Sequence, residues 1–367
     1  MSRFAIAAGG TGGHLFPGLA VAEILHKEGH EVMILTSEKQ IDTVATEGRS
    51  EFRIERLPGM GMPRGLSLAS FRFLGRFAAG ILHCRRLFAD FQPAAVLGMG
   101  GFTSTAPILA GRMRGLPVFV HESNVFPGKA NRLNGRISGG LLVGFAQAQA
   151  HLGTLPCTFT GTPVRRALQE EHLSKAEALR RFGLGSDLPT VLVMGGSQGA
   201  SGINMAIMEA AAQIGPGVLQ FIHLTGQTDE NAVRAFYQKA GISAWTGAFH
   251  HAMQDAYCAA DLSVARSGAA SLTELAFFGL PSVLIPYPYA ADDHQTFNAR
   301  VFEEAGAAVM LAEREASPTR LLAEITGILK HPGRRHSMAE KSAALSIKDA
   351  SERVAQTLLS AVEGGPK

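Results

Sequence analysis

Two stretches in opposite halves of the chain repeat one pattern. "AIAAGGTGG" at 5–13 and "VLVMGGSQG" at 191–199 each run from an apolar segment into Gly-Gly-(Thr/Ser)-x-Gly and then into helix-like sequence. A strand that ends in a glycine turn and feeds a helix opens a Rossmann-like half, so a chain carrying the passage twice is expected to build two of them. The first glycine cluster is not a familiar signature. Leu15 stands where G-x-G-x-x-G from Gly10 would need glycine, and no Gly-Lys-Ser/Thr of a P-loop follows.

The rest of the chain fits this reading. Short apolar runs predict strands at 3–8, 31–35, 94–97, 117–120, 190–194, 219–224, 261–264 and 282–285. Amphipathic stretches predict helices at 17–28, 202–213, 229–239, 271–278 and 296–305. Strand–helix alternation with Gly-rich turns gives an α/β fold of parallel sheets covered on both faces. A length of 367 residues favours two domains. The boundary is expected near "TGTPVRRAL" (160–168), giving 1–162 and 163–345. The tail, 346–367, reads as a final helix packing back on the first half.

Composition narrows the partners. A net charge of +3 suits anionic small ligands or an anionic lipid surface and is too weak to argue for nucleic acid. Charged residues, at 18%, fall below the roughly 25% usual for globular chains, which points to some apolar surface. Cys84, Cys157 and Cys258 lie far apart without a C-x-x-C, so a disulfide framework or zinc site is not expected and a reducing compartment is. "MSRFAIAAGG" lacks the apolar length of a signal peptide. The uncharged run 91–111 contains Pro93, Pro107 and several glycines, and reads as buried strand and loop rather than a membrane span.

In open parallel sheets ligands bind beyond the carboxyl ends of the strands. A glycine turn there lets backbone N–H groups approach an anion, and the following helix adds about half a positive charge. Gly9–Gly13, "GMGGFTS" (98–104) and "GGSQGAS" (195–201) are three such cradles, which suggests more than one phosphate-bearing ligand. His14, just past the first, is placed to take a proton from a hydroxyl; a helix-terminal histidine bonded locally is the alternative. "HESN" (121–124) offers Glu122 and Asn124 to the same crevice, Asn124 as a sugar-hydroxyl ligand or a turn former. Arg266 is a candidate for a diphosphate. Glu274, one turn into its helix, is placed to take both hydroxyls of a ribose, or it simply favours the helix dipole. Asp292, Asp293, His294 and Gln295 sit together in "PYPYAADDHQTFNA" (286–299). Their spacing is a weak metal signal, and sugar hydrogen-bonding by Gln295 is the stronger reading.

Between Glu55 and Asp90 no acidic residue occurs. Arg56, Arg64, Arg72, Arg76, Arg85 and Arg86 are interleaved there with Phe71, Phe73, Leu74, Phe77, Ile81 and Leu82. A basic, apolar helix of this kind lies on an anionic bilayer or covers a sheet with its arginines in water; both can hold together.

Taken in order, "GGTGGHLFPGLAVA", "GMGGFTS", "HESN", "GTPVR", "GGSQGA", "ARSGAASLTEL" and "DDHQTFNA" resemble the MurG family. These are the bacterial transferases of glycosyltransferase family 28 that move N-acetylglucosamine from UDP-N-acetylglucosamine to a muramoyl-pentapeptide on undecaprenyl diphosphate. The resemblance runs from residue 5 to about 310. It implies a GT-B fold with two Rossmann-like domains across a cleft, acceptor first and donor second. It implies an inverting reaction without a metal or other cofactor, at the cytoplasmic face of the inner membrane.

Carried over residue by residue, Gly10, Gly100 and Gly101 fall to the acceptor diphosphate and His14 to the catalytic base. Thr11, Gly12 and Gly13 border the donor. Asn124 and Gln295 resemble sugar ligands, while Arg165 and Ser197 resemble ligands of the nucleotide diphosphate. Arg266 joins them from its place in "ARSGAASLTEL". Ala269, Ala270, Ser271, Leu272, Thr273 and Glu274 would hold ribose and phosphate. His250 matches a position that meets uracil through its main chain. His294 stands where some members have glutamine. A UDP-N-acetylglucosamine 2-epimerase on the same fold, or a subunit that only binds the nucleotide sugar, is the alternative class.

Overall fold

The computed structural model describes residues 1–10, 12–38, 42–43, 46–57, 68–170, 172–196 and 199–364, with side chains of the helix that starts at 68 described from Arg72 onward. Thr11, Arg64 and Ser197 lie outside the described residues, as does the Phe71 side chain. The chain divides into two compact units, Met1–Arg166 with Ile347–Lys367, and Ala167–Ser346.

The first unit holds strands β1 (Arg3–Ala7), β2 (Glu31–Ser37), β3 (Arg53–Leu57), β4 (Ala95–Gly98), β5 (Val118–Glu122), β6 (Gly140–Val143) and β7 (Cys157–Phe159). They form one sheet in the order β3-β2-β1-β4-β5-β6-β7, with every pairing parallel. Helices α1 (Gly12–Lys27), α2 (Leu68–Phe91), α3 (Thr105–Met113) and α4 (Lys129–Gly135) connect them. The sheet is buried on both faces, so its inner strands are continuous apolar runs rather than alternating ones. Phe4 and Ile6 of β1 join Leu15, Leu19 and Leu25 of α1 in one core. The intervening Ala5 and Ala7 join Phe88 of α2 and Ile108 of α3 in the other.

The second unit holds α5 (Lys175–Arg181), β8 (Thr190–Met194), α6 (Ser201–Ile214), β9 (Gln220–Leu224), α7 (Glu230–Ala240), β10 (Ala244–Gly247), α8 (Met253–Ala259), β11 (Leu262–Ala265), α9 (Ala269–Phe277), β12 (Ser282–Leu284), α10 (His294–Glu304), β13 (Ala308–Met310), α11 (Pro318–Leu329) and α12 (Pro332–Ala344). Its sheet runs β10-β9-β8-β11-β12-β13, again all parallel. Val191, Val193, Ile207, Phe221, Val264 and Ile325 anchor its core. The last helix, α13 (Ala350–Glu363), belongs to the first unit, where Val354, Ala355 and Leu358 enter the core around α1.

Both sheets reverse their strand order beside the first strand of the unit: between β1 and β4, and between β8 and β11. At such a switch point the two crossovers leave in opposite directions and a crevice opens at the carboxyl edge. All three glycine turns, and the "ARSG" turn after β11, leave the sheets at these two points.

Candidate active site

In the first unit the turn after β1 is shaped by a residue the sequence reading passed over. Asp42 is fully buried. Its Oδ2 accepts from the Gly10 nitrogen at 2.8 Å, from the Ser37 nitrogen at 3.0 Å and from the Ser37 hydroxyl. A Cβ on Gly9 would stand 2.7 Å from the Ser37 nitrogen and 2.9 Å from Asp42 Oδ2, so nothing larger than glycine fits. Gly10 is turned to φ 98°, where a side chain would be strained. Because the Gly10 N–H already points at a carboxylate, any anion at this turn must rely on the amides beyond it. Gly12 and Gly13 supply two of those as the first residues of α1.

His14 sits in the first turn of that helix. Its ring lies over the second glycine turn: a Cβ on Gly100 would meet the ring's Cδ2 and Nε2 at 3.1 Å, and one on Gly101 would meet Cε1 at 3.2 Å. The first turn, the second turn and His14 are thereby brought together at one switch point. Burial holds His121 well below the usual histidine range, with opposition from its bond to Gly161 O and from Glu122, and with His14 adding to the lowering.

Glu122 does not face the crevice as expected. It is almost fully buried, with Oε1 accepting from the Asn124 nitrogen and Nδ2 at 2.8 and 3.0 Å. Oε2 accepts from the Gly128 nitrogen at 2.9 Å and from Asn131 Nδ2 at 2.8 Å. The carboxylate organises the loop after β5 and fixes the Asn124 side chain. Arg165 lies within the first unit, its guanidinium 4.6 Å from the ring centre of Phe16 on α1.

In the second unit the turn after β8 leads to α6, whose N-cap, Ala200, gives no side-chain cap. Gly199 takes φ 76°, and a Cβ there would lie 2.5 Å from Thr225 O. Glu313 comes up to the first turn of α6, where a Cβ on Gly202 would touch its Oε1. Glu313 Oε2 also takes Arg266 Nη1 at 2.9 Å, and the same nitrogen donates to Ile285 O and Pro286 O, each at 3.1 Å. Arg266 is therefore gripped by one nitrogen. Its Nε and Nη2 form no hydrogen bond with the described residues, and that edge is the one suited to an anion.

Glu274 lies on the second turn of α9, and its Oε2 receives the Tyr257 hydroxyl at 2.6 Å. Ala269 and Leu272 are buried and can offer only main chain, whereas Ala270, Ser271 and Thr273 are partly exposed. Gln295 Oε1 accepts from the Tyr287 nitrogen at 3.0 Å. Its carbonyl accepts from Ser267, which ties the start of α10 to the turn after β11. His250 is packed between the rings of Phe182 and Trp245 at 5.1 and 5.3 Å, and burial lowers its pKa first of all. This anchors the loop whose main chain carries the expected base contact. Asp292 and Asp293 are exposed residues at φ 52° and 53°, and His294 bonds Ala291 O. Among the described residues no group of three or more His, Cys, Asp or Glu is placed to hold a metal ion.

Residues 4–140 match the glycosyltransferase family 28 N-terminal domain, and residues 190–354 match the family 28 C-terminal domain. The chain is a glycosyltransferase of family 28. Among family 28 relatives, a protein of Geobacter sp. (strain M21) is 34% identical over 97% of this chain and 95% of its own length. One of Myxococcus xanthus (strain DK1622) is 36% identical over 97% and 92%. Both are named UDP-N-acetylglucosamine--N-acetylmuramyl-(pentapeptide) pyrophosphoryl-undecaprenol N-acetylglucosamine transferase. The crystal structure of Acinetobacter baumannii MurG superposes with a TM-score of 0.76 at 26% identity, covering 97% of this chain and 99% of that one. The two parallel-sheet units are those of the GT-B class.

Proposed function

We propose that this chain transfers N-acetylglucosamine from UDP-N-acetylglucosamine to the C4 hydroxyl of the muramoyl-pentapeptide carried on undecaprenyl diphosphate, a step of peptidoglycan synthesis. The observation that carries the proposal is the pair of switch points, one presenting two glycine turns around His14, the other presenting an uncapped helix, Arg266 and Glu274.

The first unit takes the acceptor, its diphosphate against Gly100 and Gly101; the contact expected at Gly10 falls away, because its N–H is already given to Asp42. The second takes UDP: Ser197 and the start of α6 on the diphosphate with Arg266, residues 269–274 on ribose and phosphate, and the main chain at 250 on uracil. Gln295 meets the sugar. Thr11, Gly12, Gly13, Asn124 and Arg165 are donor contacts carried from the resemblance. The acceptor oxygen attacks the anomeric carbon, the bond to the UDP oxygen breaks, and the configuration inverts. The hydroxyl proton passes to His14, a general-base contribution of roughly 10²- to 10⁴-fold. UDP leaves with its charge met by the α6 amides and Arg266, and donors of this kind are worth about 3–4 kcal/mol each. Metal independence follows from the resemblance, and full activity in EDTA checks it.

The chain is proposed to work at the cytoplasmic face of the cell membrane. No helix among the described residues is long and apolar enough to cross a membrane. On α2, Arg72, Arg76, Arg85 and Arg86 are exposed, with Leu74 and Leu82 more than half exposed beside them. Phe73 and Phe77 of the same helix pack on Phe102, next to the second glycine turn. A basic, apolar surface adjoining the diphosphate turn suits an acceptor whose tail is in a bilayer.

The test is incubation of the protein with labelled UDP-N-acetylglucosamine and a short-chain muramoyl-pentapeptide diphospholipid. Label in the lipid product supports the proposal. UDP-N-acetylmannosamine from donor alone indicates the epimerase, and binding without UDP release indicates a carrier.

A further inference from the structure

We infer that Tyr257 is the positioning residue of the ribose-binding carboxylate, and that the Tyr257–Glu274 pair sets the preference for a nucleotide bearing ribose hydroxyls. The inference rests on the proposed role of Glu274. Tyr257 comes from α8 and Glu274 from α9, the helices on either side of β11 in the chain. The tyrosine is 3% exposed, and its ring lies 5.0 Å from that of Phe278. The ring is held in place, and its hydroxyl donates to Glu274 Oε2 at 2.6 Å.

That bond has a chemical consequence for the site. A glutamate side chain on a helix has several rotamers, and two ribose hydroxyls need both oxygens of one fixed carboxylate. A carboxylate offers about four lone-pair positions. The tyrosine uses one and stops the side chain rotating, which holds the carboxylate plane in one orientation for the two ribose hydroxyls. Fixing the group before the nucleotide arrives removes an ordering cost from binding. Tyr257 acts through Glu274 and is not itself a catalytic residue.

The experiment is calorimetry on the full chain with two probes, UDP and 2′,3′-dideoxy-UDP, for the wild type, Tyr257→Phe, Glu274→Gln and the double variant. Tyr257→Phe restores the ordering cost of the Glu274 side chain and so weakens UDP binding by roughly two- to tenfold. Dideoxy-UDP, which has nothing to offer the carboxylate, keeps its affinity. The double variant discriminates no less than Glu274→Gln alone. Equal weakening of both probes in Tyr257→Phe, or unchanged UDP binding, overturns the inference. Should Glu274→Gln keep the wild-type preference, the ribose role of Glu274 fails first, and the inference with it. A Tyr257→Phe protein that does not fold is replaced by Tyr257→Met, read by the same ratio.

Discussion

Replacing Asp42 with alanine is expected to destabilise the first unit and to impair acceptor use while leaving nucleotide affinity unchanged. The carboxylate holds two backbone donors, the partly buried Gly10 N and the buried Ser37 N, and the Ser37 hydroxyl. The hydroxyl can rotate to another acceptor; the two amides cannot. A buried donor left unsatisfied costs about 1–3 kcal/mol and the partly buried Gly10 N less, so the pair amounts to at most about 6 kcal/mol. Against this stands the relief of a buried carboxylate whose Oδ1 has no hydrogen-bond partner among the described residues. A net loss of about 3 kcal/mol remains, a drop in melting temperature of roughly 6–12 °C for a unit of this size. Asp42→Asn keeps one oxygen for both amides but exchanges charged hydrogen bonds for neutral ones, and should lose only about 1–2 kcal/mol. Thermal melts followed by near-ultraviolet circular dichroism give both values, and calorimetry gives the UDP affinity. An alanine variant as stable as wild type within about 0.5 kcal/mol, the range of ordinary surface changes, would refute the reasoning. So would an asparagine variant as damaged as the alanine one.

Three further outcomes are expected. His14→Ala should lower kcat by roughly 10²- to 10⁴-fold with UDP affinity little changed; unchanged turnover removes His14 from the reaction. Burial lowers His223, held between Tyr237 and Asn204, to about 3. The unfolded chain then binds the extra proton between about pH 6.5 and that value, so the second unit loses stability as pH falls through this window, by up to about 1.4 kcal/mol per pH unit. His223→Gln should flatten the slope of an acid titration monitored by Trp245 fluorescence, and an identical slope would contradict the assignment. Replacing Arg72, Phe73 and Arg76 together with serine should reduce sedimentation with anionic vesicles, the more so at low salt; equal sedimentation would clear α2 of that role.

The strands that were legible in the sequence are the ones buried on both faces. β1, β2, β4, β5, β8, β9, β11 and β12 have neighbours on each side and read as apolar runs. The strands that escaped include all four sheet edges: β3, β7, β10 and β13. "RIERL" in β3 carries three charged residues among five, as an edge strand facing water can. β7 and β13 are three-residue edge strands, each with a neighbour on one side only. β6 escaped because it begins in glycine. The start of α1 was hidden for a different reason. Gly12, Gly13 and Pro17 are poor helix formers, yet the helix includes all three, because tertiary packing of Leu15, Leu19 and Leu25 overrides propensity.

The site divides along similar lines. Residues that follow a strand end directly, such as His14, Arg266 and Glu274, could be placed from the strand–turn–helix rhythm. Asp42, Tyr257 and Glu313 could not, since each acts on a partner brought to it only by folding. An acid just past the second strand of a Rossmann-like half is a place where a ribose ligand is often sought, and that signal was available for Asp42. Here the carboxylate binds its own backbone instead.

The position of bound UDP tests the account most directly. A crystal of this protein soaked with UDP should show the diphosphate at residues 195–202 beside Arg266, with the ribose hydroxyls on Glu274. Nucleotide seated elsewhere, or a ribose turned away from Glu274, would contradict it.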